Sequence, residues 1–233
     1  LGRNAFVGAT NATIYYRPGT RGWGPEFGGR PTKEWDPDAV SGESLSPASG
    51  LPFTYNTSRD GVVSVTKYTG SGGMAVVPSA FRGLPVNGVA NSAFEGCTNL
   101  TRVVLPETVN VMGCDVFWGC RQLTEVAIPT QVTEIRSSAF RDCTSLARLD
   151  IPDKVTNIAS KAFAGCSNLV ALRFEGDAPV VAADVFEASR QVTIYYRTST
   201  KGWGPEFGGR PTAVWADGEE GPFSYAVVDG VAY

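Results

Sequence analysis

Four cysteines, Cys97, Cys120, Cys143 and Cys166, stand 23 residues apart, and cutting the chain at Leu100, Leu123, Leu146 and Leu169 brings most other positions into one register. The segments read LTRVVLPETVNVMGCDVFWGCRQ, LTEVAIPTQVTEIRSSAFRDCTS, LARLDIPDKVTNIASKAFAGCSN and LVALRFEGDAPVVAADVFEASRQ. A looser version, AVVPSAFRGLPVNGVANSAFEGCTN, precedes them from Ala75 to Asn99. A fixed period of this length marks stacked supersecondary units, each too small to bury its apolar residues except against a neighbour.

Within a unit the apolar residues fall into three groups. Leu123, Val126 and Ile128 precede Pro129, which has no N–H to give to a sheet ladder and so ends the segment. One short parallel strand per unit is predicted there. Val132 and Ile135 form the second group, and Phe140 and Cys143 the third, at the i, i+3 spacing of a helical turn. Each turn therefore has three inward-facing sides.

Four cysteines in one register predict a buried column in which each thiol serves as a small apolar group with a weak donor. Stacked strands lie about 4.8 Å apart, within the Cα separation of about 4.4–6.8 Å that a disulfide accepts. Side chains in a column point the same way, however, and free thiols are the expectation, with Cys114 as the fifth. No CxxC pair is present, so zinc and thioredoxin-type chemistry have no starting point.

The unit LxxVxIPxxVTxIxxxAFxxCxx resembles the BspA-type (Treponema-type) leucine-rich repeat of bacterial surface and secreted proteins. The resemblance covers residues 75–191 and departs in the last unit, where Phe174-Glu175-Gly176 replaces the Ile-Pro segment and Ser189 replaces the cysteine. Such drift suits a terminal repeat. The resemblance implies a right-handed leucine-rich-repeat solenoid with short parallel β-strands, short helical turns and β-rich caps.

A second, longer repeat lies over the first. IYYRPGTRGWGPEFGGRPT from Ile14 recurs as IYYRTSTKGWGPEFGGRPT from Ile194, 180 residues on, and the match extends back from residues 185–189 to residues 5–9. FSYAVVDGVAY from Phe223 likewise resembles FTYNTSRDGVVSV from Phe53. The chain thus reads as a piece cut from a tandem array. Residues 1–35 are the end of a preceding solenoid with its aromatic cap, 36–52 a linker containing SGESLSPASG, and 53–74 a lead-in hairpin. Residues 75–191 are a solenoid of about five 23-residue units, 192–216 an aromatic C-terminal cap, and 217–233 a linker and the start of the next unit.

Composition narrows the chemistry. The 20 basic and 23 acidic residues form no block of like charge, so neither nucleic acid nor a membrane surface is an expected partner. No apolar run approaches the roughly 20 residues of a spanning helix. Histidine is absent, which removes the commonest general base and metal ligand near neutral pH. No paired carboxylates, activated nucleophile or metal cluster can be assembled, so neither catalytic nor metal nor cofactor-binding residues are assigned. Gly28-Gly29 and Gly70-Ser71-Gly72-Gly73 lack the following helix of a phosphate loop and read as turns.

Function is then sought on outward positions. Arg102, Glu125 and Arg148 share one position on successive turns, and Asp150 stands beside Arg173; such pairs hold a sheet together at about 0.2–1 kcal/mol each. Trp118 stands out, its counterparts being Glu95, Arg141 and Ala164. It is a candidate partner contact, with stacking under Arg141 as the alternative. Tyr15, Tyr16, Trp23, Phe27 and Arg30, with Trp203 in the second copy, offer a stacking surface for a sugar or peptide. Covering an open solenoid end is the competing role. Trp118, Arg141, Trp23 and Trp203 are therefore the candidate binding residues. The resemblance implies a non-catalytic module of a large secreted or cell-surface bacterial protein, mediating adhesion or protein contact. Its partner would be a protein, an extracellular-matrix or cell-surface ligand, or neighbouring copies of itself. The alternatives are an architectural unit of a fibre or stalk, and a carbohydrate-binding accessory module.

Overall fold

The computed structural model describes residues 14–16, 24–27, 30–34, 52–58, 61–215, 227–228 and 231–232, in two compact units, Leu1–Ser44 and Leu45–Tyr233. Trp23, the match at residues 5–9 and the linker at residues 36–51 lie outside the described residues. In the first unit, β1 (Ile14–Tyr16) runs parallel to β3 (Arg30–Glu34), which also pairs antiparallel with β2 (Glu26–Phe27).

The second unit opens with β4 (Phe53–Thr57), β5 (Val63–Tyr68), β6 (Gly73–Val76), β7 (Ala80–Phe81) and β8 (Leu84–Val89). Each following repeat supplies two strands: β9 (Leu100–Val104) and β10 (Val111–Met112), then β11 (Glu125–Val126) and β12 (Glu134–Ile135). The next two supply β13 (Arg148–Ile151) with β14 (Asn157–Ile158), and β15 (Ala171–Phe174) with β16 (Val180–Val181). After β17 (Thr193–Arg197), β18 (Glu206–Phe207) and β19 (Arg210–Trp215) comes a hairpin of β20 (Val227–Val228) and β21 (Val231–Ala232).

Two sides of the solenoid are strand columns. The first carries the ladders β6-β9-β11 and β13-β15-β17-β19, parallel throughout, with β18 antiparallel on the outside. The second carries β4-β5-β8-β10 and β12-β14-β16, parallel except for β4. Each column has a gap. Hydrogen-bonded pairing stops at β11 and resumes at β13 on the first side, and stops at β10 and resumes at β12 on the second.

The third side differs from expectation in detail. It contains hydrogen-bonded turns and no helix among the described residues. Two residues per repeat adopt a left-handed backbone: one set is Ser92, Asp115, Ser138 and Lys161, the other Gly96, Gly119, Asp142, Gly165 and Ala188. That conformation ends a right-handed helix. The freed N–H groups reach forward to the next turn, with Phe94 to Val116, Phe117 to Ala139, Phe140 to Ala162 and Phe163 to Val185 at 2.8–3.0 Å. A tight turn bonded from Cys143 N–H to the Phe140 carbonyl at 3.2 Å keeps both side chains inward, which is why a helical spacing fitted it.

This side stacks the aromatic core. Phe53, Tyr68, Phe94, Phe117, Phe140, Phe163 and Phe186 follow one another with ring centroids 5.2–5.9 Å apart. Each such contact is worth about 0.5–1.5 kcal/mol beyond area burial. Alongside runs the cysteine column. Cys120, Cys143 and Cys166 are fully buried, and their thiols donate to the carbonyls of Phe94, Phe117 and Phe140 at 3.0–3.1 Å. Ser189, in the same register, donates to the Phe163 carbonyl at 2.6 Å. The position thus selects a small donor, which serine also supplies.

The long duplication recurs as pairing. Ile194 faces Thr212 and Glu206 faces Pro211, as Ile14 faces Thr32 and Glu26 faces Pro31. The hairpin β20–β21 sets Val227 against Ala232, as β4–β5 sets Thr57 against Val63.

Candidate functional site

Alternation along each strand sends every second side chain outward, so the outer face of the first column is built from rows that cross the turns. One row runs Met74, Arg102, Glu125, and the next Val76, Val104, and, one period on, Ala127, Asp150, Arg173, Tyr195 and Ala213. Of the ion pairs expected along these rows, Arg102 with Glu125 and Asp150 with Arg173 form. Arg102 meets Glu125 at 3.0 Å, and Arg173 grips Asp150 with two prongs at 2.9 and 2.6 Å. Burial pushes the Asp150 carboxyl up, and the Arg173 hydrogen bond opposes this. Arg197 binds Glu175 at 2.6 Å, and the guanidinium groups of Arg173 and Arg197 each lie 4.6 Å from the ring of the buried Trp215. Double stacking and pairing make this corner a rigid patch.

Where the ladder is interrupted between β11 and β13, a groove of about 820 Å3 opens on the outer face. Its walls include Thr124, Ala127, Ala147, Arg148, Pro152 and Val170. Sequence reasoning missed this groove. The signal was present in the alanines: Ala127 stands between Val104 and Asp150 in its row, and Ala147 between Thr124 and Val170. Small side chains on the two adjoining turns leave a hollow that larger neighbours border. Three of its bordering carboxylates, Glu125, Asp150 and Glu175, are already held by arginines, so the groove offers shape and compensated charge. Among the described residues, no group of three or more His, Cys, Asp or Glu side chains is placed to hold a metal ion.

The residues singled out from sequence lie elsewhere. Trp118 is half-buried on the third side, where its indole N–H donates to Asp142 at 3.1 Å and the Arg141 guanidinium lies 5.2 Å from its ring centre. Trp203 sits at the end of the solenoid, stacked on Tyr196 at 5.1 Å and enclosed by Phe174 and Phe207 at 4.9 and 5.1 Å. Its indole nitrogen is buried without a hydrogen-bond partner. The structure therefore brings Trp118 and Arg141 together and keeps both apart from the groove, while Trp23 lies outside the described residues.

Comparison with known proteins places this architecture. No curated protein sequence matches the chain. Among solved structures, a leucine-rich repeat protein of Treponema pallidum is 33% identical, with a TM-score of 0.59 over 65% of this chain and 70% of its own. A leucine-rich repeat protein of Bacteroides ovatus is 22% identical, with a TM-score of 0.48 over 63% of this chain and 48% of its own. The pneumococcal vaccine antigen PcpA is 16% identical, with a TM-score of 0.47 over 69% of this chain and 47% of its own. The BspA type leucine rich repeat region matches residues 85–202 in six copies, a span that carries the stack from Phe94 to Phe186 and the cysteine column. The period, the stacked turns and the Treponema likeness agree: the chain belongs to the BspA-type leucine-rich repeat family.

Proposed function

We propose that this chain is a non-catalytic repeat module of a large secreted or cell-surface bacterial protein, and that it mediates adhesion or protein–protein contact through the outer face of its first strand column. The observation that carries this reading is the groove between β11 and β13, of about 820 Å3 and bordered by carboxylates already paired with arginine. Such a surface suits a partner that fills space with apolar side chains over several turns, in the manner of extended repeat proteins. Membership of a repeat family whose general role is protein interaction supports it. The partner is a protein, presented by the extracellular matrix or by a cell surface.

The test is binding of the immobilised chain to a panel of purified extracellular-matrix and cell-surface proteins. Ala127→Glu and Ala147→Glu fill the groove with charge at exposed or half-buried positions and should weaken any binding at least about tenfold, with melting unchanged. A second reading rests on Trp118, half-exposed between the charged Glu95 and Arg141 of its column, with Arg141 over its ring. Loss of binding in Trp118→Ala, with both alanine variants unaffected, would move the binding face to the third side. Full binding by all three folded variants removes both surfaces.

A further inference from the structure

The two ends of the solenoid are stepped in opposite senses. At the N-terminal end the second strand column runs on past β8 to β5 and β4, while the first stops at β6. At the C-terminal end the first column runs on past β15 to β17 and β19, while the second stops at β16. Each end therefore has a ledge two strands deep on one side and a recess on the other. The ledge of one end matches the recess of the opposite end.

The strand edges at these steps match as well. Among the described residues β6 pairs with β9 alone, and no described strand covers the other edge of Gly73–Val76. β18 covers β19 at Arg210 and Pro211, and the Thr212 N–H donates to the Pro205 carbonyl at 3.1 Å, so the edge that the described residues leave open is the three-residue stretch 213–215. Apart from β18, every strand from β6 to β19 on this side points the same way within its ladder, so β19 laid against β6 extends the parallel pattern without a change of polarity. In that arrangement the overhanging β5 and β4 fall beside β16.

Exposed apolar side chains gather at these steps. Val62, Met74, Val76 and Leu84 lie at the N-terminal one, and Val214 and Val180 at the C-terminal one, Val180 being 73% exposed. Open edges are normally protected by charge, proline or cover. Here β18 and Pro211 protect one half of β19, and the unprotected half carries Val214. The edge-bearing block is also built twice in the chain, since β3 repeats the pairing of β19.

We propose that the C-terminal step of one copy of this chain docks on the N-terminal step of a second copy, with β19 adding to β6 by strand addition. The two surfaces differ, so the contact is head to tail and does not close on itself; association proceeds to open chains. It uses neither the groove nor Trp118 and stands independently of the binding reading.

The test uses the whole chain and two variants at exposed positions, Val76→Lys and Val214→Asp, with melting curves to show that each keeps its fold. Sedimentation of the unmodified chain up to about 1 mM, the weak end of specific affinities, should show the weight-average mass rising by roughly 1.5-fold or more with concentration. Each variant alone has one disabled end and stays monomeric. Mixed in equal amounts, they form a dimer and nothing larger, because the intact C-terminal step of the lysine variant meets the intact N-terminal step of the aspartate variant. A chain that is monomeric throughout overturns the proposal, as do single variants that still associate or a mixture of folded variants that stays monomeric.

Discussion

At the scale of single residues, the cysteine column ties packing to reactivity. Burial pushes the Cys120 and Cys166 thiols up to about 12 and Cys143 well above the ordinary thiol range. A thiol buried in that way reacts slowly, because the thiolate is the nucleophile. Alkylation of the native chain should spare these three and label Cys97 and Cys114, both half-buried. Alkylation after unfolding without reductant should label all five cysteines. The same shifts set a pH dependence: a folded pKa raised above the unfolded one contributes stability that is complete below the unfolded value and is lost as pH rises toward the folded one. Denaturant midpoints should therefore fall between about pH 8.5 and 12. A flat profile there would mean that the thiols are not buried.

Ala188 gives a second prediction at this scale. It occupies the left-handed register filled by glycine at residues 96, 119 and 165. A side chain there costs about 1–2 kcal/mol, and glycine's extra unfolded-state freedom takes back about 0.5–1. Ala188→Gly should thus stabilise the chain by roughly 0.5–1 kcal/mol, seen as a higher urea midpoint. The equivalent change at Asp142 removes the acceptor of the Trp118 indole and should give less.

Among the elements, the end block shows how far sequence carries. Two large aromatics after the last strand pointed to covering an open end, and Trp203 packs on Phe174, Tyr196 and Phe207 at the last turns. Its removal opens a partly buried cavity worth roughly 2–3 kcal/mol, so Trp203→Ala should lower the melting temperature by about 5–10 °C for a domain of this size. A shift under about 1 °C would show that the ring supports nothing. The first strand side was legible because proline follows the apolar pattern at residues 106, 129 and 152, and the ion pairs because a 23-residue offset sets Arg173 beside Asp150. The expectation of one strand per unit fell short, because the second apolar pair, read only as an inward side, forms a two-residue strand too short to show an alternation. The third side was read as helical because Phe140 and Cys143 have the same spacing in a tight turn; the left-handed residues that distinguish the two include Ser138, Asp142 and Lys161, which announce nothing in one sequence. The groove was hidden for a different reason. It arises from a gap in pairing between β11 and β13, and pairing continuity is a property of neighbouring turns, with Ala127 and Ala147 as its only local trace.

For the molecule as a whole, the three sides do not hold the turns together equally. The strand columns are interrupted, the second between β10 and β12 and the first between β11 and β13, so both gaps flank the repeat that begins at Leu123. The third side crosses both without a break: Asp115, Phe117 and Gly119 bond to Ser137, Ala139 and Arg141, and Ser138, Phe140 and Asp142 to Ser160, Ala162 and Ala164, at 2.8–3.0 Å. The phenylalanine stack runs through the same turns. In a solenoid whose stability is a sum over neighbouring turns, this repeat lacks one strand ladder toward each neighbour, keeping β11 on β9 and β12 on β14 beside the third side, and is the place where local opening costs least. Amide exchange under native conditions tests this. The N–H groups of Phe117 and Phe140 should be among the slowest, while those of β11 and β12 should exchange faster than those of β9 and β15. The coupling has a functional sense, because the groove lies over the same repeat: a partner seated there bridges β11 and β13 across the gap and should slow exchange in both. Equal protection on all three sides of the Leu123 repeat would show that the gaps carry no weakness, and the groove would then be a fixed hollow in a uniformly rigid stack.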